Sequence, residues 1–156
     1  MCGILGIVNR SAQRRHSLSD SDLARIAHRG PDGSGVFTDE HVQLGHVRLS
    51  IIDLTDAGHQ PMLSHEGRYV VTFNGEIYNY LELKAELELL GERFIGHSDT
   101  EVLLSAYKVW GTDCVKRFLG MFAFVIWDKN EQTVFIARDR CGEKPLFFYF
   151  DENFKT

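Results

Sequence analysis

Cys2 stands directly behind Met1 and opens the run Cys2-Gly3-Ile4-Leu5-Gly6-Ile7-Val8. Cysteine is small enough for an aminopeptidase to remove Met1, which leaves one residue carrying a thiol and a free α-amine. The thiolate is the nucleophilic form, with an ordinary thiol pKa of about 8.5, and an α-amine titrates at about 7.7–8.0. That amine can accept and return a proton near neutral pH, beside the nucleophile that needs it. The competing reading is a buried cysteine in a first strand, because free Cys is among the most buried residue types.

Other chemistry-bearing residues lie far along the chain. Phe73-Asn74-Gly75-Glu76-Ile77-Tyr78-Asn79 puts an amide, a glycine and a carboxylate at a strand end. An Asn side chain and a neighbouring backbone N–H can form an oxyanion hole, each donor worth about 10²–10³ in rate. Locally the plain turn is the stronger reading, because Asn-Gly is the leading short hairpin signal. Arg48 sits among apolar strand residues, in His46-Val47-Arg48-Leu49-Ser50-Ile51-Ile52-Asp53. Its fork can take a substrate carboxylate, or simply reach solvent from an edge strand. Asp99 complements a helix dipole or serves as counter-ion for a substrate ammonium, with Glu76 as a second acid. Together these residues would recognise an α-amino acid by both charged groups and attack its side-chain carbonyl. Glutamine fits best.

The elements that must position them fit one domain. A chain of 156 residues, 44% hydrophobic and 25% charged, is ordinary for a soluble globular protein with a real core. A net charge of −5 argues against nucleic acid or an anionic membrane as partner. The longest apolar run, Met121 to Trp127, is far too short to cross a bilayer. No signal peptide is read, so the expected location is cytoplasmic. The three cysteines, Cys2, Cys114 and Cys141, form no CxxC pair, and the seven histidines show no metal-ligand spacing. A disulfide framework and a metal site are therefore not expected.

Strands are expected over 2–9, 35–38, 42–50, 68–73, 121–128, 133–139 and, as a final aromatic strand, 145–150. Helices are expected over 19–28, ending at Gly30-Pro31, and after Asn79, which can cap the second with Glu82 at its third position, with Leu83, Leu87 and Leu90 facing inward and Gly91 as the stop. Ser98-Asp99-Thr100-Glu101 reads as a capping box opening a helix that Gly111 closes, with a short helix over 113–119 behind it. Antiparallel-looking runs of strands with helices clustered between them favour an α+β fold in stacked layers.

These residues carry a resemblance to the N-terminal glutaminase domain of glutamine-hydrolysing asparagine synthetases, class II glutamine amidotransferases among the N-terminal nucleophile hydrolases. The motifs are Met1-Cys2-Gly3-Ile4, Arg29-Gly30-Pro31-Asp32-Gly33, the 48–53 segment, Gly58-His59-Gln60-Pro61-Met62 and the 73–80 segment. Ser98-Asp99-Thr100-Glu101, Gly120-Met121-Phe122-Ala123-Phe124 and Arg138-Asp139-Arg140 with Gly142 and Lys144-Pro145-Leu146 continue the order over nearly the whole chain. The resemblance implies a four-layer αββα sandwich of two antiparallel sheets between helices, with residues 1–156 as one amidotransferase domain. It assigns Cys2 as nucleophile and Asn74 with the Gly75 N–H as oxyanion hole. Arg48 would hold the glutamine α-carboxylate, Glu76 and Asp99 the α-ammonium, and backbone groups of Leu49, Ile51 and Ile52 the rest of the pocket. Arg29 and Asp32 would lie in a loop near it.

The implied partners are L-glutamine and a C-terminal synthetase domain of the same parent chain, and a homodimer is compatible with it. No cofactor or metal is implied for this domain. ATP and Mg belong to the synthetase domain, whose Ser-Gly-Gly-x-Asp-Ser loop does not occur in these residues. Two alternatives stay open: an amidotransferase serving a different acceptor, and a non-catalytic interaction module.

Overall fold

The computed structural model describes residues 2–9, 16–50, 55 and 58–150. Among these described residues seven strands form two antiparallel sheets. The first contains β1 (Gly3–Val8), β2 (Gly33–Thr38) and β3 (Val42–Arg48) in the order β1-β3-β2. The second contains β4 (Met62–Leu63), β5 (Tyr69–Ile77), β6 (Gly120–Asp128) and β7 (Thr133–Arg138), in sequence order. Helix α1 (Asp20–Ile26) packs on β3, while α2 (Tyr80–Leu89) and α3 (Asp99–Trp110) cover the second sheet. The layers therefore run helix, sheet, sheet, helices, as the αββα expectation has it.

The alternation of β5 explains this stacking. Successive strand side chains point to opposite faces. Tyr69, Val71, Phe73 and Ile77 point toward the helices and join Leu83, Leu87, Val102, Leu103 and Ala106 in the larger core. Val70 faces the first sheet and packs with Val42, Leu44 and Trp127 in a smaller core. A strand covered on both faces reads as a nearly unbroken apolar run, which is what Tyr69-Val70-Val71-Thr72-Phe73 is.

Polar ties fix the two sheets against each other. Thr72 Oγ1 donates to Gly45 O at 3.2 Å, the Trp127 indole N–H donates to Asp39, and His46 Nε2 lies 3.2 Å from Phe73 O. His46 is fully buried, and burial pushes its pKa down to about 4. The ring is thus neutral, and Nε2 carries the proton that the Phe73 carbonyl accepts.

Four sequence expectations are corrected. β5 does not stop at Phe73, and Asn74-Gly75 forms no turn. The strand continues because β6 pairs with it throughout, Asn74 opposite Ala123, Gly75 opposite Phe122 and Ile77 opposite Gly120. Non-local pairing outweighs the local Asn-Gly preference. Asn79 does not cap α2 through its side chain; its amide bridges Arg117 O at 3.0 Å and the Leu119 N–H at 2.9 Å. Leu90 sits at the C-terminal cap of α2 and is exposed, since the buried stripe ends at Leu87. The 145–150 segment pairs with no strand among the described residues, and Phe147 to Phe150 are exposed.

Helix α3 begins as expected. Ser98 Oγ accepts the Glu101 N–H at 3.2 Å, although the Glu101 carboxylate takes the N–H groups of Ile95 and Gly96 instead of returning to Ser98.

Candidate active site

The register of the first sheet brings Cys2 beside Arg48. Gly3 lies opposite Val47, so Cys2 falls at the level of the last residue of β3. The Leu49 N–H donates to Cys2 Sγ at 3.3 Å and holds the sulfur at the end of that strand. Arg29 Nε donates to Cys2 O at 3.0 Å. That reach is possible because Gly30 lies flat on β3: a Cβ there would stand 2.4 Å from Val47 O. Asp32 completes the frame, its N–H donating to Arg48 O at 3.0 Å and its carboxylate accepting the Ser50 N–H at 2.8 Å. Arg29 and Asp32 thus brace Cys2 and the end of β3 and do not line the cleft.

A cleft of ≈ 580 Å³, its mouth included, opens in front of Cys2. Arg48, Leu49, Asn74, Gly75, Glu76 and Asp99 all line it, so Cys2 ahead of β1 and residues from β3, β5 and α3 converge on one site. Arg48 Nη1 also donates to Thr55 O at 3.0 Å. Ile51 and Ile52, the other two expected pocket residues, lie outside the described residues.

The direction of the Gly75 N–H follows from the ladder. Its partner Phe122 uses both backbone groups toward β7: its O accepts the Asp139 N–H at 2.7 Å, and its N–H donates to Asp139 Oδ2 at 3.2 Å. Gly75 and Phe122 are therefore a pair without mutual hydrogen bonds, and the Gly75 N–H points away from β6. Phe73 and Ile77, two residues to either side, point the same way and spend their N–H groups on side chains. Phe73 donates to Gln60 Oε1 at 2.7 Å and Ile77 to Asp99 Oδ2 at 3.0 Å. Between these anchors the Gly75 N–H faces the cleft. A side chain at Gly75 is excluded, since its Cβ would lie 2.3 Å from Met121 O. Asn74 is buried on the opposite face of β5, the one turned toward β3.

Asp99 occupies the first turn of α3 and is buried. Burial raises its pKa to about 6, against the pull of three backbone N–H groups, and the neighbouring Glu76 charge adds to the rise. Two neighbouring acids, Glu76 and Asp99, together with Arg48 among the lining residues suit a ligand carrying both an ammonium and a carboxylate.

Gln60, Thr100 and Lys144 also line the cleft and were not singled out individually from the sequence. Lys144 is delivered by a turn built on Asp139, whose carboxylate accepts the N–H groups of Phe122, Cys141, Glu143 and Lys144. Burial opposes the charge on Asp139, but those donors prevail and hold its pKa below the ordinary carboxylate value. Among the described residues no trio of His, Cys, Asp or Glu is arranged to hold a metal ion, and no helix is long and apolar enough to cross a membrane.

Known proteins resemble this chain in sequence and in fold. A family model described as a glutamine amidotransferase domain matches residues 1–155. The chain is 44% identical over 152 residues to asparagine synthetase [glutamine-hydrolyzing] 1 of Bacillus subtilis, covering 95% of this chain and 24% of that protein. It is 41% identical to a putative asparagine synthetase [glutamine-hydrolyzing] 2 of Methanocaldococcus jannaschii, covering 98% of this chain and 33% of the relative. Amidase chry2 of Gibberella zeae is 40% identical over 168 residues, with 98% of this chain and 25% of that protein covered. The chain thus spans about a quarter to a third of these relatives. Glutamine phosphoribosylpyrophosphate amidotransferase from B. subtilis superposes with a TM-score of 0.68 at 24% identity, over 87% of this chain and 37% of that one. The fold is that of the N-terminal nucleophile amidotransferases.

Proposed function

The chain belongs to the glutamine amidotransferase domain family, matched over residues 1–155, and from that membership we propose that Cys2 hydrolyses L-glutamine to glutamate and ammonia through a thioester. The observation that carries the reading is the convergence of Cys2 Sγ and the outward Gly75 N–H on one cleft that Arg48 and Asp99 also line.

Each step has a group to perform it. Arg48 takes the glutamine α-carboxylate, and Glu76 with Asp99 takes the α-ammonium, presenting the carboxamide to Cys2. The thiolate adds to the amide carbon, and the oxygen that gains charge is held by the Gly75 N–H and the Asn74 side-chain amide. The α-amine of Cys2, exposed once Met1 is removed, takes the proton that the thiol gives up and passes it to the departing nitrogen. The C–N bond breaks, ammonia leaves, and water then cleaves the thioester to give glutamate and restore the thiol. The ammonia would serve amidation of aspartate by an ATP- and Mg-dependent synthetase domain of the parent protein, a reading supported by the asparagine synthetases among the relatives. Amidase chry2 keeps a second acceptor in view, because a domain 40% identical also occurs in a relative with another name.

Glutamate and ammonia released one to one from L-glutamine test the hydrolysis. Arg48→Ala should raise KM for glutamine by roughly 10–100-fold with a smaller change in kcat, the worth of a charge-assisted pair of hydrogen bonds. An unchanged KM would remove Arg48 from the pocket.

The buried acid gives the reaction a pH limb. Asp99 holds an ammonium only when charged, and its pKa of about 6 means that charge is lost as pH falls through about 6. KM for glutamine should therefore climb below that pH, and Asp99→Asn should raise KM throughout and flatten the limb. A KM that stays constant from pH 7 to pH 5 would sink this assignment.

A further inference from the structure

The peptide just ahead of the oxyanion donors is held in an unusual way. β4 pairs with β5 at Met62 opposite Val71 and Leu63 opposite Val70, and among the described residues no strand pairs with that edge of β5 from Thr72 onward. At Phe73 a side chain replaces the missing strand: Gln60 Oε1 accepts the Phe73 N–H at 2.7 Å. The Phe73 carbonyl is taken from the other sheet by His46 Nε2 at 3.2 Å. Because the Phe73 N–H requires an acceptor, the Gln60 amide has only one orientation, and its NH₂ faces Thr100 Oγ1 at 3.2 Å. Gln60 and Thr100 are both buried. Thr100 follows Asp99, whose carboxylate holds the Ile77 N–H at 3.0 Å. The result is a closed circuit in which Asn74, Gly75 and Glu76, paired with β6 along one edge of β5, are flanked on the other edge by two side-chain anchors, Gln60 and Asp99.

We propose that Gln60 is a positioning residue that locks the oxyanion segment of β5 to the ammonium-binding start of α3, so that both ends of the substrate meet groups set at one fixed spacing. The proposal rests on the reading of Asn74 and Gly75 as oxyanion donors. Gln60 acts through the Phe73 peptide and Thr100 and needs no contact with the reacting atoms. Its value lies in geometry: a displacement of about 1 Å in a catalytic group can cost about 10²-fold in rate.

The test uses the full chain with Met1 removed, verified by mass spectrometry, in the parent form and as Gln60→Met, Thr100→Val, Thr100→Ser and the Gln60→Met/Thr100→Val double variant. Two rates are read: glutamine turnover, and alkylation of Cys2 by iodoacetamide, a reaction that needs the thiol but no oxyanion hole. Gln60→Met should lower kcat about 10–100-fold while alkylation stays within about twofold of parent. Thr100→Val should lose part of that activity and Thr100→Ser should recover it. The double variant should be no worse than Gln60→Met, because both changes break one circuit. A Gln60→Met kcat within about twofold of parent overturns the proposal, as do turnover and alkylation falling together, or additive losses in the double variant. A parent chain that alkylates at Cys2 but releases no ammonia is a different failure: it overturns the hydrolytic reading, and this proposal with it.

Discussion

Cys2→Ala is expected to release no measurable ammonia from glutamine, a loss on the order of 10⁴-fold or greater, because no other group near the carboxamide forms a thioester. The fold should survive. Cys2 precedes β1 and is only half-buried, and among the described residues the donor that loses its acceptor is the Leu49 N–H, 3.3 Å from the sulfur. A cost of about 1 kcal/mol would move the thermal midpoint by only about 2–4 °C in a chain of this size. Calorimetry beside an ammonia assay therefore separates lost chemistry from lost structure. The parent chain with Met1 retained is the informative control. It keeps the thiol but buries the α-amine in a peptide bond, so it should alkylate like the processed chain yet turn over no glutamine. Ammonia release by Cys2→Ala at the parental rate would remove Cys2 from the mechanism.

Asn74→Ala is expected to lower kcat by about 10²–10³, the usual worth of one oxyanion donor, with little change in KM. The split follows from placement. The groups assigned to the substrate's charged end are Arg48, Glu76 and Asp99, whereas Asn74 is assigned to the oxygen that gains charge. Asn74 is 3% exposed, so truncation also leaves a small void, and thermal unfolding of the variant should be recorded alongside the kinetics. Should KM rise in proportion while kcat holds, Asn74 is a ground-state binding residue and the oxyanion hole lies elsewhere.

Sequence made the ends of this site easier to see than its middle. Cys2 stood out by its position, although a buried strand cysteine competed with the nucleophile there, and the start of α3 was legible from the Ser98 to Glu101 pattern, because both signals are local. The Asn74-Gly75 pair was legible as chemistry and misleading as structure. Its turn preference is a property of two residues, and the ladder that overrides it comes from β6, more than forty positions along the chain. Gln60 left no periodic trace at all: its partners are 13 and 40 residues away, and a glutamine in a loop has no pattern that points to either. The layered architecture came from the resemblance more than from periodicity, since β5 is buried on both faces and shows little alternation to read. The aromatic run 145–150 has strand composition, but composition supplies no partner, and among the described residues it pairs with none.

The double-sided burial of β5 has a consequence for how this domain tolerates change in length. A pleat alternates, so a one-residue insertion or deletion between Tyr69 and Asn74 would exchange the two faces. Asn74 and Glu76 would turn into the leucines of α2, and a phenylalanine would turn toward Cys2. Core and chemistry are written on one strand in alternate letters, and a single slipped letter garbles both messages at once.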